Sequence, residues 1–230
     1  MVPSKKSVFR GRTGAKTLAS KTPDICGAVF ASGNGSNAEN IIRFAQARSE
    51  KISIPLVICN QPGAGVIERA KNLGVPCFVL PCTKATKAEQ ERAILDILAA
   101  HNVSWVFLAG YMQILSAPFL SHFPSRVVNI HPSLLPAFPG RDSYRRAYDA
   151  GVKTSGVTLH FVDEGVDTGP VITQKTFERI PDESFENFRA RGLALEYEVY
   201  TDFLKELCHG ERDQDRNRAE NSGPAAGKMG

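Results

Sequence analysis

Asn129 and His131 stand two residues apart in a short apolar run that ends at Pro132. In an extended chain, residues i and i+2 point to one face, with α-carbons roughly 6.6 Å apart. An amide donor and an imidazole at that separation can both reach one carbonyl oxygen, which is how an oxyanion is stabilised. Alternatively, Asn129 satisfies a strand end and His131 caps a turn. The residues by themselves leave both interpretations open.

An acidic loop at 163–170 follows a second, alternating run at 156–162. A carboxylate held in this loop can raise the pKa of a nearby imidazole and relay protons through water. A solvated turn is the alternative, since Asp and Gly are ordinary turn residues. Acids at 163, 164 and 167 fit no calcium-loop spacing, and we expect no metal.

A glycine-rich loop, Ser-Gly-Asn-Gly-Ser-Asn at 32–37, leads from an apolar run into an amphipathic stretch. Its glycines let backbone N–H groups approach an anion at a helix N-terminus, and Ser36 and Asn37 add side-chain donors. The loop loosely fits a dinucleotide fingerprint, but the next strand ends in Cys59-Asn60 without an acid for a ribose diol. This favours a single phosphate, and the missing Gly-Lys-Ser/Thr argues against a nucleotide triphosphatase. A tight turn capped by Ser or Asn is the alternative.

Short β-rich runs alternate with longer amphipathic stretches, which predicts an α/β fold. Most of the strand runs are continuously apolar, as buried parallel strands are. We expect a doubly wound, Rossmann-like, mostly parallel sheet of about seven strands with helices on both faces. The predicted strands are 25–31, 52–59, 77–80, 103–108, 126–130, 157–162 and 171–177, and the predicted helices are 37–48, 64–73, 87–101, 142–150 and 182–207. Ligands of such sheets bind at the carboxyl ends of the strands, where the three loops lie.

The 230 residues fit one domain with a substantial core. No apolar run approaches the ~18 residues of a membrane span, which excludes a membrane protein. The five cysteines have neither Cys-x-x-Cys nor zinc-finger spacing. They indicate reduced thiols, and we expect a cytoplasmic protein.

The net charge of +4 comes from one end of the chain. Residues 1–23 carry six basic residues and no acid, so residues 24–230 carry −2 and offer no phosphate-tracking surface for a nucleic acid. We expect 1–23 to be a basic, disordered extension, with an organelle transit peptide or a misassigned start as alternatives. We expect 24–208 to form a single domain and 209–230 a polar, disordered tail.

Three motifs occur in one order: the loop at 32–37, Asn-Ile-His-Pro-Ser-Leu-Leu-Pro at 129–136, and His-Phe-Val-x4-Asp-x-Gly-Pro at 160–170. Together with Leu-Ala-Gly-Tyr-Met-Gln-Ile-Leu-Ser at 108–116, they closely resemble the glycinamide ribonucleotide formyltransferases of purine biosynthesis, which are folate-dependent. The resemblance runs through roughly residues 25–205.

The resemblance implies that a glycinamide amine attacks the formyl carbon of 10-formyltetrahydrofolate directly, without a metal or an acyl-enzyme. Asn129 and protonated His131 would stabilise the oxyanion, and Asp167 would support that protonation and pass the proton through water. The residues implied to bind glycinamide ribonucleotide are Gly35, Ser36, Asn37, Ala38, Glu39 and Glu196. Those implied to bind the folate donor are Lys87, Met112, Gln113, Ile114, Leu115, Asn129, Gly140 and Val166. Both partners are small molecules, and the protein would be a monomer or homodimer without a nucleic-acid or membrane partner.

The sequence departs from the family pattern at two places. Gln113 stands where the family often carries Arg, so we expect contacts to the glutamate tail of the folate, rather than the chemistry, to differ. Arg-Asp-Ser-Tyr at 141–144 replaces a histidine-rich stretch, so those histidines are dispensable or this loop binds differently. His160 aligns with the family, and we interpret it as a packed, structural residue.

Four other functions fit part of this residue pattern. Formyltetrahydrofolate deformylase shares the Asn-His-Asp set and uses water as acceptor, but its family carries an N-terminal regulatory domain for which about 24 residues are too few. Methionyl-tRNA formyltransferase shares the catalytic core but needs a basic C-terminal domain, which we do not expect in this sequence. A catalytically silent phosphate-binding module is disfavoured because all three catalytic residues are present, and a Rossmann-type oxidoreductase because the ribose acid is missing.

Overall fold

The structure is a computed structural model that describes residues 23–83 and 85–221, with side chains through residue 210. Most of the predicted N-terminal extension, and residues 222–230 of the predicted tail, lie outside the described residues. No helix in the described part of the chain is both long and apolar enough to cross a membrane.

Seven strands form one sheet in the order β3-β2-β1-β4-β5-β6-β7. Neighbouring strands from β3 to β5 pair in parallel, whereas β6 is antiparallel to both β5 and β7. The strands are β1 Ile25–Ala31, β2 Ile52–Cys59, β3 Cys77–Val79, β4 Trp105–Leu108, β5 Val127–His131, β6 Thr154–Phe161 and β7 Val171–Glu178. The predicted α/β fold with a mostly parallel sheet is confirmed.

Six helices connect or follow these strands: α1 Ser36–Gln46, α2 Gly65–Asn72, α3 Lys87–Ala100, α4 Ala117–Leu120, α5 Ser143–Asp149 and α6 Phe185–Asn221. Helix α4 was not predicted, because four residues are too few to reveal a helical period. Helix α6 continues past its predicted end at 207 into the segment expected to be disordered. Apolar periodicity marked the earlier end, but residues 211–221 contain neither Gly nor Pro to stop a helix.

The two faces of the sheet bury separate apolar clusters. Along β1, Val29 and Ala31 pack toward α1, α2 and α6, while Ala28 and Phe30 pack toward α3 and α4. Because both faces are covered, alternate residues of the strand are all apolar, which explains the continuous apolar runs in the sequence.

Tyr200 of α6 anchors that helix to the centre of the sheet. The side chain is fully buried, and its hydroxyl lies 2.8 Å from the carbonyl oxygen of Leu108 and 3.2 Å from that of Val128. Helix α6 is thereby held against the end of β4 and the start of β5.

Gly192 lets α6 approach α5. A Cβ at this position would lie 2.4 Å from a ring carbon of Tyr144 and 2.5 Å from its hydroxyl oxygen. We expect Gly192→Ala to lower the free energy of unfolding by about 1–3 kcal/mol in urea denaturation, because a well-packed contact is overfilled.

Gly210 on the same helix is the matched control, since a Cβ there would meet no atom within 4 Å. Gly210→Ala should leave stability unchanged or raise it by up to about 1 kcal/mol through helix propensity. Equal effects of the two substitutions would contradict the packing argument.

Candidate active site

The site lies at the carboxyl edge of the sheet, where β1, β4 and β5 are adjacent. Phe30 of β1 pairs with Leu108 of β4, and Leu108 pairs with Asn129 of β5. Parallel strands end at the same edge, so the loops at 32–35, 109–116 and 132–142 emerge side by side. Two of the three loops predicted to be functional, at 32–37 and after β5, therefore meet at this edge together with the segment at 109–116. The third, the acidic loop at 163–170, follows antiparallel β6, whose Phe161 pairs with Val128 near the start of β5. That loop reaches the site by folding back, so that Asp167 contacts Asn129 and His131.

Asn129 and His131 both belong to β5, which ends one residue later than predicted. Their shared contact is the carboxylate of Asp167, which lies 3.4 Å from Nδ2 of Asn129 and 3.1 Å from Nδ1 of His131. The three residues predicted to be catalytic are thus close together. Sequence periodicity anticipated the common face of the first two, but not that Asp167 lies between them.

Asp167 is half-buried and has a left-handed backbone, with φ 57°. The backbone N–H of Gly140 donates to its Oδ2 at 2.7 Å. Burial raises the pKa of Asp167, but nearby His160, the Gly140 amide and the charge of His131 outweigh it and hold the pKa below its usual value. Asp167 is therefore an ionised carboxylate at neutral pH.

His131 is buried, with 4% of its surface exposed. Its Nδ1 faces Asp167, and its Nε2 lies 2.9 Å from the carbonyl oxygen of Phe138 and 3.0 Å from the hydroxyl of Ser143. Burial lowers its pKa, while the Phe138 carbonyl and Asp167 act in the opposite direction. A ring with acceptors at both nitrogens can hold an extra proton, and burial favours releasing it.

His160 is buried, as expected for a packed residue, but it also takes part in the site. Its Nδ1 lies 2.8 Å from the Phe161 carbonyl oxygen, and its Nε2 lies 3.1 Å from Nδ2 of Asn129. A neutral ring with its proton on Nδ1 satisfies both contacts, because Nε2 then accepts from the amide. His160 thereby orients the Asn129 side chain, a contact that sequence reasoning missed.

The glycine-rich loop ends at Gly35, which precedes α1 with a left-handed backbone, φ 81°. A Cβ here would lie 2.5 Å from that of Val66, so only glycine fits both the turn and the contact with α2. The first N–H groups of a helix lack intrahelical partners, so those of Ser36, Asn37 and Ala38 are suited to an anion. The Ala38 side chain is buried, which leaves its backbone as its means of contact.

Glu39 pairs with Arg43 and with Arg69 of α2. These hydrogen bonds lower its pKa. Arg69 also donates to the backbone and side-chain oxygens of Asn34, at 2.9 and 2.8 Å. The Glu39 side chain thus helps to hold the loop in shape, and its predicted contact with a substrate stays a prediction.

Glu196 of α6 joins the loop to α5. Its Oε2 accepts from Nδ2 of Asn37 at 2.5 Å, and its Oε1 accepts from the Tyr144 hydroxyl at 2.6 Å. Burial raises its pKa, and the two donors partly oppose that rise. The structure therefore connects two predicted substrate-binding residues directly and adds Tyr144. The only sequence signal for Tyr144 was its place in the stretch that departs from the family pattern.

The residues predicted to bind the folate donor differ in exposure: some are exposed, and others are buried or lie in loop contacts. The side chains of Met112, Ile114 and Val166 are 58%, 52% and 48% exposed, which is unusual for large apolar residues. Leu115 is buried in the core, so only its backbone can contact a ligand. Gly140 lies beside both Asp167 and Val166.

The loop that carries Met112 is tied down on two sides. Ser32 accepts from the Met112 backbone N–H at 2.8 Å, and buried Glu91 of α3 accepts from the N–H of Ser116 at 3.0 Å. The Lys87 ammonium lies 3.8 Å from the Glu91 carboxylate, so Glu91 connects Lys87 to this loop. Gln113 between these anchors is half-exposed. Among the described residues, no three His, Cys, Asp or Glu side chains are grouped as metal ligands.

Known proteins similar to this chain identify its family. A family model described as Formyl transferase matches residues 27–204. The phosphoribosylglycinamide formyltransferase of Bacillus subtilis (strain 168) is 44% identical over 181 residues, which cover 78% of this chain and 93% of that protein.

Two solved structures are similar throughout the domain. Phosphoribosylglycinamide formyltransferase from Streptococcus pneumoniae TIGR4 matches with a TM-score of 0.74 and 41% identity, covering 80% of this chain and 98% of that chain. Glycinamide ribonucleotide transformylase 1 from Geobacillus kaustophilus matches with a TM-score of 0.73 and 43% identity over the same shares of the two chains.

The chain therefore belongs to the formyl transferase family. The resemblance drawn from three short motifs is confirmed over most of the chain. Within that family, the relatives similar to it along nearly their whole length are phosphoribosylglycinamide formyltransferases, also named glycinamide ribonucleotide transformylases.

Tyr144→Phe tests how much the Tyr144 hydroxyl stabilises the buried carboxylate of Glu196. The substitution removes a donor to charged Glu196, so we expect a loss of about 1.5–3 kcal/mol in the free energy of unfolding at pH 8. Burial raises the pKa of Glu196 in the folded protein. As the pH falls, Glu196 is therefore protonated in the folded protein before it is protonated in the unfolded chain. The loss of unfolding free energy in the variant should then become smaller toward pH 5. Urea denaturation of the native protein and the variant at pH 8 and pH 5 measures this difference in unfolding free energy.

Tyr148→Phe is the matched control, because the Tyr148 hydroxyl donates to the backbone oxygen of Glu183, at 2.7 Å, and that oxygen does not titrate. Its deficit should be the same at both pH values. A Tyr144→Phe deficit that also stays constant would show that the bond to Glu196 does not carry the effect.

Proposed function

We propose that this chain transfers the formyl group of 10-formyltetrahydrofolate to the amine of N1-(5-phosphoribosyl)glycinamide in purine biosynthesis. The observation that carries the proposal is the contact of Asn129, His131 and ionised Asp167 at the edge where the anion loop and Glu196 also lie. Formyl transfer and the acceptor are those of the relatives named above.

The formyl acceptor, glycinamide ribonucleotide, is bound through its charged groups and hydroxyls. Its phosphate lies at the N-terminus of α1, on Gly35, Ser36 and Asn37, where unpaired N–H groups and the helix dipole favour an anion. Glu196 takes the ribose and glycinamide end. This division is supported by the 2.5 Å bond between Asn37 and Glu196, which places the phosphate loop next to a fixed carboxylate.

The donor supplies an electrophilic formyl carbon, and the exposed apolar side chains of Met112, Ile114 and Val166 fit a flat, aromatic ring system. Val166 precedes Asp167, so a ring packed on it would bring the formyl group toward the catalytic carboxylate. The remaining predicted contacts, with Lys87, Gln113, Leu115 and Gly140, are part of the same proposal.

Asn129 and His131 perform the chemistry by stabilising negative charge on the formyl oxygen as the amine attacks. His131 acts in its charged form, which Asp167 favours by accepting from Nδ1. As the amine nitrogen bonds to the formyl carbon, Asp167 passes the proton that the amine loses through water to N10 of the folate. The bond between the formyl carbon and N10 then breaks, and tetrahydrofolate leaves with that proton. Because Gly140 and His131 both lie against Oδ2 of Asp167, the carboxylate is oriented before a substrate arrives.

The cellular setting is a further part of the proposal. The five cysteines, all within the described residues, are reduced, which supports a cytoplasmic location. The partners are the two small molecules, and the protein acts as a monomer or homodimer.

Loss of the formyl group from 10-formyltetrahydrofolate, followed by absorbance with and without glycinamide ribonucleotide, tests the function. We expect turnover only with the ribonucleotide. Equal turnover in water alone would identify a deformylase instead, and no turnover under either condition would leave a binding module.

His131→Ala and Asp167→Asn should each lower kcat by about 10²–10⁴-fold, because proton transfer and oxyanion stabilisation are lost. Binding of glycinamide ribonucleotide, measured by calorimetry, should change little. The control is His122→Ala, an exposed histidine whose Nδ1 contacts the backbone of Pro118. If ribonucleotide binding were lost with turnover, these residues would be structural.

Asn37→Ala should weaken glycinamide ribonucleotide binding by about tenfold or more and affect kcat less, because a hydrogen bond to a charged group is worth ~1.5–3 kcal/mol. Asn40→Ala is the control. Asn40 lies one turn further along α1 and also bonds to α6, through the Tyr197 carbonyl and the Thr201 hydroxyl, both at 3.2 Å. Unchanged affinity in the Asn37 variant would remove Asn37 from the phosphate site.

A further inference from the structure

Ser143 begins α5, and its side chain is buried, with 1% of its surface exposed. Its hydroxyl oxygen lies 3.0 Å from Nε2 of His131, 2.8 Å from the carbonyl oxygen of Phe138 and 2.9 Å from that of Gly140. A hydroxyl has one proton to donate, so it serves one of these three acceptors at a time. Which one it serves depends on whether His131 carries a proton on Nε2.

The Phe138 carbonyl oxygen lies 2.9 Å from the same Nε2. The protonation state of His131 therefore determines which groups can donate a hydrogen bond there. When His131 is charged, Nε2–H donates to Phe138, and Ser143 is free to donate to Gly140. When His131 is neutral with its proton on Nδ1 toward Asp167, the Nε2 lone pair faces a carbonyl oxygen. The Ser143 hydroxyl then supplies the donor that a buried nitrogen lone pair requires.

We propose that Ser143 is a positioning residue that stabilises the neutral, Nδ1-protonated form of His131 and turns to the Gly140 carbonyl when His131 takes up a proton. The two hydrogen-bond patterns use the same heavy-atom positions. His131 can therefore gain and lose its proton without a rearrangement of the loop. Ser143 lies within the stretch at 141–144 that departs from the family pattern.

The other groups that face His131 remain in place when only the hydroxyl is removed. They are Asp167 on the loop after β6, which raises its pKa, and His160 on β6 and Arg146 on α5, which lower it. The role of this proton cycle in catalysis rests on the proposed function. The hydrogen-bond exchange itself is a property of the free protein and is measurable without a substrate.

The experiment is an NMR titration of the His131 ring in the full chain, comparing the native protein with Ser143→Ala. Removing the donor destabilises neutral His131, so the midpoint should rise by about 0.5–1 pH unit. Ser143→Thr, which keeps a hydroxyl, should restore the native midpoint. Ser133→Ala is the matched control, because this buried serine in the same loop donates to the Ala137 carbonyl, at 2.5 Å, and should leave the midpoint unchanged.

An unchanged or lower midpoint in folded Ser143→Ala would overturn the proposal. If that variant does not fold, the ¹⁵N shifts of the native ring decide. A proton on Nδ1 in the neutral form supports the proposal, and a proton on Nε2 overturns it. In the formyl-transfer assay, charged His131 is lost as the pH rises, so the alkaline limb of the kcat profile should move with the NMR midpoint. Absence of turnover in the native protein would refute the proposed function and leave the titration result standing.

Discussion

The carboxylate of Asp167 is the interaction on which the functional edge depends. It contacts Asn129 and His131 of β5, Gly140 of the following loop and His160 of β6. A partly buried charge is tolerated only when it is paired and hydrogen-bonded. The Asn129 amide, His131 and the Gly140 N–H supply the donors, and His160 orients Asn129. The loops after β5 and β6 are therefore held together by the same contacts that surround His131.

Glu196 is a second carboxylate at this edge, in a contrasting environment. It is buried between Asn37 and Tyr144 without a facing cation among its hydrogen-bond partners, and burial raises its pKa, whereas the pKa of Asp167 is lowered. The difference follows from the partners: Asp167 faces histidines and a backbone amide, while Glu196 faces neutral donors. One site thus contains a carboxylate that is ionised and one that is held mainly by neutral hydrogen bonds.

The sheet gives these groups a rigid frame. Residues of β1, β4 and β5 are in register at the edge, and antiparallel β6 places His160 opposite Asn129. Tyr200 holds α6 against β4 and β5 through the carbonyls of Leu108 and Val128, so Glu196, one helical turn earlier, is fixed relative to the strand ends. The residues predicted to be catalytic are therefore positioned by buried contacts with the backbone rather than by mobile surface side chains.

Local patterns in the sequence determined the strand and helix alternation, the mostly parallel sheet and the common face of Asn129 and His131, because apolar periodicity and the period of two are properties of neighbouring residues. They left α4 and the end of α6 undetermined, since four residues show no period and a polar helix shows no apolar stripe. Only the tertiary structure brought Asn37 to Glu196, 159 residues away, and Asp167 between Asn129 and His131. It also decided the place of Ser143, which depends on left-handed backbone at Phe138 and Asp142. These contacts are set by how the loops fold over the sheet edge, and no periodicity along the chain records that.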